Sequence, residues 1–325
     1  MGKKATKSTL KTKEGIFKLL TDNLMSVAIY SLLFFITINT YLFTYNSSDS
    51  TRVSVNYSSG QTVLAAEDVA INGPALVTEL PTTFPVVSSQ GVMVLDINSG
   101  KSLFEKNADI SLLPASTVKM MTAVVVLEHM NLSEVIEVGE VSIVGQKMGL
   151  IAGEKITVEN LLTAMLVYSA NDAAEALAQS FPGGRDAFIV AMNQKANEIG
   201  LANTNYNNPS GLDGFTQFTT ARDLVMLGEY VLSKPPLAAI VQQEDVIVES
   251  DDGVYKHSLR NTNELLGKVE GVKGIKTGWT ENARENLVVY VERDDKKVLF
   301  ALLGSQDRFG EMEQLINWVF DNYEW

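Results

Sequence analysis

A serine and a lysine stand three positions apart at Ser116 and Lys119, within the sequence Ser-Thr-Val-Lys. If Ser116 opens a helix, the two side chains lie on one face, and the lysine is held beside the serine hydroxyl. A serine hydroxyl is a weak nucleophile until a neighbouring base accepts its proton, and a lysine can do so when burial or another cation lowers its pKa. The pair therefore predicts a nucleophilic Ser116 with Lys119 as its base.

The residues after Lys119 predict that this pair is carried on a buried helix. Positions 120–127 are almost entirely apolar, so a helix over Ser116 to Met130 would lie in the core and remove the lysine stem from water. The same Ser-x-x-Lys spacing occurs at Ser8 and Lys11 in a polar tail, with no apolar helix behind it. The significance of Ser116 therefore depends on companions further along the chain.

Two later motifs supply polar groups that such a serine could use. Ser169-Ala170-Asn171 follows a predicted helix, at a break where a hydroxyl and a carboxamide can point into a cleft. Lys276-Thr277-Gly278 ends a predicted strand and offers a fixed cation, a hydroxyl donor and a glycine that lets a substrate backbone approach. Each motif taken singly fits a cap or a turn. The three in this order indicate one shared site.

The remaining composition narrows the chemistry. There is no cysteine, which excludes disulfides, thiolate zinc sites and cysteine nucleophiles. With only two histidines, His129 and His257, a three-histidine metal site is impossible. His129 would lie about 20 Å along the helix axis from Ser116, too far to act as its base. We predict no metal and no cofactor.

The N-terminal region has the pattern of a membrane anchor. Residues 1–23 form a basic tail, and residues 24–45 carry no charge and are long enough to span a hydrocarbon core of about 30 Å. The lysines before this run place the N-terminus in the cytoplasm and the rest of the chain outside the cell membrane. Residues 44–48 offer no small-x-small cleavage site, so a retained single-pass helix is expected rather than a signal peptide.

The charge and patterning of the rest define a tether and one globular domain. The net charge of −13 argues against a nucleic-acid partner, which would need a basic footprint. Residues 46–83 are rich in Ser, Thr, Asn, Asp and Gly and predict a flexible extracytoplasmic tether. In the domain at 84–325, strands are predicted at 91–96, 101–105, 272–277, 286–292 and 297–303, with helices at 116–130, 157–168, 173–180, 186–199, 220–232 and 312–322. This order predicts an α/β (α+β) fold, with an antiparallel sheet built from N- and C-terminal strands, flanking helices and an inserted helical block.

The three motifs together resemble those of the penicillin-binding proteins, and most closely the low-molecular-mass D-alanyl-D-alanine carboxypeptidases, which share the β-lactamase-like fold. The resemblance covers about residues 85–305 and extends to Asn-Pro-Ser-Gly-Leu at 208–212 and Thr-Ala-Arg-Asp-Leu at 220–224. It implies serine acyl transfer on peptidoglycan stem peptides at the outer face of the cytoplasmic membrane. β-Lactams would be covalent inhibitors.

The resemblance also implies a role for each catalytic residue. Ser116 would attack the carbonyl between two D-alanines, and Lys119 would accept its proton. Ser169 would help to relay that proton to the leaving amine. The backbone N–H groups of Ser116 and Trp279 would form the oxyanion hole.

Substrate binding would fall to the other motif residues. Asn171 would hold the substrate backbone amide, and Lys276 and Thr277 would bind the terminal carboxylate. Gly278 would leave room for the substrate. Lys276 is also expected to help lower the pKa of Lys119 as a second nearby cation.

Three features bear on the alternatives. Arg284 stands where the family usually has glycine; it is either a charge at the cleft rim or a substrate contact, and we expect the rim. The C-terminal β-rich domain and amphipathic anchor of many relatives have no counterpart, so the N-terminal helix is expected to do the anchoring. Class A β-lactamases use a glutamate to activate the deacylating water. Residues 203–214 contain none, which predicts slow release of penicillin.

A D,D-endopeptidase that cuts cross-links stays open as an alternative within the same fold, because the motifs are shared. An inactive, membrane-tethered binding module is the alternative from another class. It predicts disrupted cleft residues, whereas the motif residues are all present.

Overall fold

The computed structural model describes residues 73–76 and 84–325. The predicted basic tail, the membrane anchor at 24–45 and most of the tether lie outside the described residues. The strands of the described part are β1 (Ala75–Leu76), β2 (Gly91–Asp96), β3 (Ser102–Lys106), β4 (Val135–Glu137), β5 (Lys155–Thr157), β6 (Asp245–Glu249), β7 (Lys256–Arg260), β8 (Val272–Thr280), β9 (Arg284–Arg293), β10 (Lys296–Ser305) and β11 (Tyr323–Glu324). The helices are α1 (Lys119–His129), α2 (Val158–Val167), α3 (Asn171–Gln179), α4 (Gly184–Glu198), α5 (Ala221–Leu232), α6 (Pro235–Val241) and α7 (Arg308–Asn322).

The main sheet joins the two ends of the domain. Its order is β3-β2-β10-β9-β8, and every neighbouring pair is antiparallel. The N-terminal hairpin β2–β3 pairs with the C-terminal strands through β2 and β10, while the helices α1 to α6 are inserted between β3 and β8 in the sequence. The predicted α+β architecture is therefore confirmed for the described domain.

Both faces of the sheet are buried, which explains why its central strands are apolar at almost every position. In β10, Leu299, Ala301 and Leu303 belong to the core shared with the inserted helices. The alternate residues Val298, Phe300 and Leu302 belong to a second core, which includes residues of α7. Since side chains alternate across a strand, a continuous apolar run fills both layers.

Helix α1 lies at the centre of the larger core. Its residues from Met120 to Val126 are fully buried, which matches the predicted core helix. Helices α2 and α5 begin at threonine caps: Thr157 Oγ1 accepts from Asn160 N at 3.2 Å and Thr220 Oγ1 from Asp223 N at 3.0 Å. A capping hydroxyl satisfies one of the free N–H groups of a first turn, so the predicted Thr220 cap is confirmed.

The structure differs from the predicted elements in several places, and strands β4 and β5 are among the elements that were not predicted. Ser116 does not open the α-helix; it lies in a 3-10 turn at Ala115–Val118, and α1 begins at Lys119. Helix α6 and the hairpin β6–β7 lie in a segment for which no element was predicted. Ala75–Leu76, inside the predicted tether, pairs with Tyr323–Glu324.

Within residues 73–76 and 84–325, no single helix combines the length and apolarity of a membrane span. One bent pair, Ala221–Leu232 with Pro235–Val241, meets the length and composition test together, with a 109° angle at the break.

Candidate active site

Ser116 is held in a tight turn between a loop and the edge strand of the sheet. Ala115, just before it, has a left-handed backbone with φ +48°. Gly278 of β8 packs against this turn, where a Cβ would lie 3.1 Å from Pro114 O and 3.1 Å from Ser116 N. The glycine of the Lys-Thr-Gly motif therefore allows β8 to approach Ser116 closely.

The Lys119 ammonium donates hydrogen bonds to three acceptors, of which one belongs to this turn and two come from other segments. Nζ donates to Ser116 Oγ at 2.9 Å and to Asn171 Oδ1 at 2.7 Å, and it also donates to the carbonyl oxygen of Ser210. Lys119 is fully buried. An ammonium has three donors and no acceptor, so three fixed acceptors hold the nitrogen against the serine hydroxyl.

Burial prepares Lys119 to act as a base. It lowers the pKa of Lys119 to about 7, against the opposing charges of Glu175 and Asp172. The predicted help from Lys276 takes a different form, because the repulsion between the two lysines instead lowers the pKa of Lys276, after the larger effect of its own burial. Near neutral pH a large share of Lys119 is thus the neutral amine.

Asn171 is fixed at the first residue of α3 by contacts at both ends of its carboxamide. Its Oδ1 accepts from Lys119, and its Nδ2 donates to Val144 O at 2.8 Å. Because a carboxamide oxygen has two lone pairs, one remains for a substrate amide. Ser169, two residues earlier, has a left-handed φ of +65° and lines the same cleft as Ser116.

In the Lys-Thr-Gly motif, Lys276 lies beneath the cleft surface, whereas Thr277 and Gly278 line the cleft. Lys276 is 1% exposed and donates from Nζ to Thr277 O at 3.0 Å. Thr277 lines the cleft, with its hydroxyl 2.7 Å from the Thr262 hydroxyl. The predicted cation therefore lies beneath the surface that a ligand would touch.

The cleft has a volume of about 840 Å³ and is open to solvent. Ser116, Ser169, Asn171, Thr277, Gly278 and Trp279 all line it. The Trp279 side chain is 61% exposed at its rim. Arg284, by contrast, is exposed and outside the lining, on a residue with φ +58°. A left-handed backbone favours glycine, and Arg284 is a surface charge near the β8–β9 turn.

Arg308 and Thr262 are among the cleft-lining residues that are absent from the predicted set. Arg308, the first residue of α7, lines the cleft and donates from Nη1 to Gly278 O at 3.1 Å. Thr262 comes from the loop after β7. Neither belongs to a recognisable motif, so only the tertiary fold identifies them. Among the described residues, no group of three His, Asp or Glu side chains is arranged to hold a metal ion.

Comparison with known proteins agrees with this geometry. The D-alanyl-D-alanine carboxypeptidase family, Peptidase S11, matches residues 58–307. D-alanyl-D-alanine carboxypeptidase DacF of Bacillus subtilis is 29% identical over 73% of this chain and 63% of its own length, so the chain spans less than two thirds of that curated relative. The D-alanyl-D-alanine endopeptidase of Pseudomonas aeruginosa is 33% identical over 72% of this chain and 77% of that protein.

A solved structure agrees as well. The DD-transpeptidase of Streptomyces K15 superposes with a TM-score of 0.70 at 28% identity, covering 74% of this chain and 99% of that one. The fold, the geometry of the cleft and the sequence similarity agree with one another. The chain belongs to the D-alanyl-D-alanine carboxypeptidase family.

Proposed function

We propose that the chain is a serine-type D-alanyl-D-alanine carboxypeptidase that removes the terminal D-alanine from peptidoglycan stem peptides through an acyl-enzyme on Ser116. The observation that carries this proposal is the Lys119 amine, fully buried and 2.9 Å from the Ser116 hydroxyl in an open cleft. Membership of the carboxypeptidase family supports the reaction class.

In the acylation step, Ser116 Oγ bonds to the carbonyl carbon of the penultimate D-alanine and its proton passes to the neutral Lys119 amine. The backbone N–H groups of Ser116 and Trp279 would stabilise the oxyanion. The C–N bond then breaks, and the proton returns through the Ser169 hydroxyl to the leaving amine. Water hydrolyses the resulting ester and frees Ser116.

The substrate carboxylate would bind at the end of the cleft where Thr277, Thr262 and Arg308 meet. Arg308 is the cation that lines this part of the cleft, and a guanidinium suits a carboxylate geometrically. Lys276 would add positive potential from beneath the floor rather than a direct contact. Gly278 and Asn171 would border the substrate backbone.

Covalent labelling tests the nucleophile. The Ser116→Ala variant should not be labelled by a fluorescent penicillin, whereas Ser8→Ala, which removes the other Ser-x-x-Lys serine, should be labelled like the wild type. Labelling that persists in Ser116→Ala overturns the assignment. A wild type that is never labelled favours the inactive binding module.

Product analysis tests the reaction. Incubation with monomeric pentapeptide muropeptides should release free D-alanine, detected by mass spectrometry. Cleavage of cross-linked dimers without that release would favour the endopeptidase, which the similarity to the Pseudomonas aeruginosa endopeptidase keeps as a second candidate.

A β-lactamase is disfavoured by the surroundings of Lys119. Glu175 is a buried carboxylate whose charge acts on Lys119, and Arg185 binds both of its oxygens, at 2.7 and 3.3 Å. We therefore expect slow steady-state turnover of nitrocefin. Rapid turnover would contradict this expectation.

We infer that residues 24–45 hold the catalytic domain at the outer face of the cytoplasmic membrane, with residues 1–23 in the cytoplasm. The uncharged run and the preceding lysines support this orientation. Because the chain has no cysteine, single cysteines at Ser8 and Ser48 can report topology. A membrane-impermeant maleimide should label Ser48→Cys in intact cells and Ser8→Cys only after lysis. A mature chain beginning after Tyr45 would contradict a retained anchor.

A further inference from the structure

An ion pair between the buried Glu175 and the partly exposed Arg185 lies close to the proposed catalytic lysine. Glu175 of α3 is 7% exposed, and Arg185 at the start of α4 binds it through Nε–Oε2 at 2.7 Å and Nη2–Oε1 at 3.3 Å. Two parallel contacts fix the geometry of such a pair more firmly than one. Neither Glu175 nor Arg185 lines the Ser116 cleft.

The pair nevertheless borders the Lys119 environment. Glu175 follows Asn171 by one helical turn, and the Asn171 carboxamide holds Lys119. Glu175 and Arg185 also line a second cavity, of about 410 Å³, together with Ser210, whose carbonyl oxygen accepts from Lys119. The ion pair thus lies near Asn171 and Ser210, two of the three residues that accept hydrogen bonds from the Lys119 ammonium.

A charge near a buried amine matters because the protein interior screens it less than water does. A carboxylate favours the ammonium form of Lys119 and so opposes its use as a base. Glu175 and Asp172 on α3 both act in this direction. Lys276 on β8 is a cation whose own pKa is lowered by the Lys119 charge, and Arg185 on α4 pairs with Glu175 and lies beside Asp186.

The two acidic residues are compensated differently. Asp172 accepts hydrogen bonds from the backbone N–H groups of Met148, Gly149, Leu150 and Ala173, at 2.9 to 3.1 Å. Glu175 is compensated by a side chain, Arg185, which a single substitution can remove. The net charge of the Glu175–Arg185 pair near Lys119 therefore depends on whether Arg185 is present.

We propose that Glu175 and Arg185 are positioning residues whose combined charge sets the pH range in which Lys119 can take the Ser116 proton, with Arg185 offsetting the Glu175 carboxylate. This inference rests on the proposed role of Lys119 as the base. Neither residue touches substrate. Their effect is electrostatic and passes through the Lys119 amine.

The test is the pH dependence of acylation of the full-length chain in detergent by a fluorescent penicillin, from about pH 5 to about pH 9. Glu175→Gln should move the acid limb to lower pH and Arg185→Gln to higher pH, each by roughly half to one pH unit. Below the midpoint this is about a three- to tenfold change in rate, in opposite directions. The double Gln variant should return near the wild type.

A merely structural ion pair would behave otherwise, because loss of either partner would weaken the same contact and leave the midpoint in place. Arg185→Lys keeps the charge and should keep the wild-type midpoint. Arg222→Gln breaks a similar arginine–carboxylate contact, in which Arg222 Nε lies 2.7 Å from Asp109 Oδ1. This control should leave the midpoint of the pH profile unchanged. If Arg185→Gln does not fold, Glu175→Gln and the double variant decide the matter.

Unmoved midpoints, or shifts of both single variants in the same direction, would overturn the inference. A wild type with no Ser116-dependent acylation, or with no acid limb, would instead overturn the proposed function. The two failures are therefore distinguishable.

Discussion

Gly211 packs directly against the carbonyl group of Ala115, the residue before the proposed nucleophile Ser116. A Cβ at position 211 would overlap that carbonyl oxygen and would lie 2.9 Å from Ser116 Cα. Both residues have left-handed backbones, with φ +86° at Gly211 and +48° at Ala115. The loop at 208–212 therefore fixes the 3-10 turn by a contact that only glycine permits.

Gly211→Ala should lower the acylation rate by fluorescent penicillin at least about tenfold, because the turn must move away from Lys119. The control is Gly253→Ala, at a residue with φ +71° and open space around it, where only backbone strain of about 1 kcal/mol is expected. Equal acylation rates in the two variants would mean that the contact at Gly211 does not position Ser116.

The pKa of Lys119 predicts the shape of the pH profile. Burial lowers this pKa to about 7, and the reactive species is the neutral amine, which exists above it. The acylation rate should therefore rise with pH through about 7 and then level off. A rate that keeps rising about tenfold per pH unit through pH 9 would show an ordinary lysine. Stopped-flow measurement of labelling decides between the two.

The sequence motifs could identify the proposed reacting groups because each motif is local. The spacing of Ser116 and Lys119 gives their proximity whether the segment is α-helical or 3-10, since i and i+3 are neighbours in both. The Thr220 cap and the alternating cores of β10 likewise follow from short-range rules. These parts of the fold and site could be predicted with no knowledge of tertiary contacts.

The remaining parts depend on contacts between distant segments. The 3-10 turn at Ala115–Val118 follows from packing against Gly211 and Gly278, which no local propensity encodes. Arg308 and the Ser210 carbonyl reach the site from other elements. The hairpin β6–β7 did carry a usable signal, the Asp252-Gly253 turn between two short strands.

Asn171→Asp should raise the pKa of Lys119, because it places a carboxylate where Lys119 Nζ now donates to an amide oxygen at 2.7 Å. The acid limb of acylation should move to higher pH, with a loss of about tenfold or more at pH 7. Asn322→Asp makes the same charge change at the end of α7, away from the cleft, and should leave the profile unchanged. An unmoved limb in Asn171→Asp would show that the Lys119–Asn171 contact is not maintained in solution.

Asn286 connects the segment before Ser116 to the sheet. It is fully buried; its Nδ2 donates to Leu113 O at 2.9 Å, and its Oδ1 accepts from Gly304 N at 2.8 Å. Asn286→Ala leaves two buried backbone groups unpaired, which should cost about 2–4 kcal/mol of unfolding free energy. Because Leu113 leads into the Ser116 turn, acylation per folded molecule should also fall.

Urea unfolding and penicillin labelling of the same samples separate these two effects. Asn98→Ala, which removes an exposed 3.0 Å contact to Asp295 O, should change the unfolding free energy by no more than about 0.5 kcal/mol and leave labelling intact. If Asn286→Ala lowers stability while each folded molecule acylates at the wild-type rate, Asn286 stabilises the sheet without positioning Ser116. If Asn286→Ala lowers both the stability and the acylation rate per folded molecule, the contact with the Leu113 carbonyl both stabilises the sheet and positions the Ser116 turn.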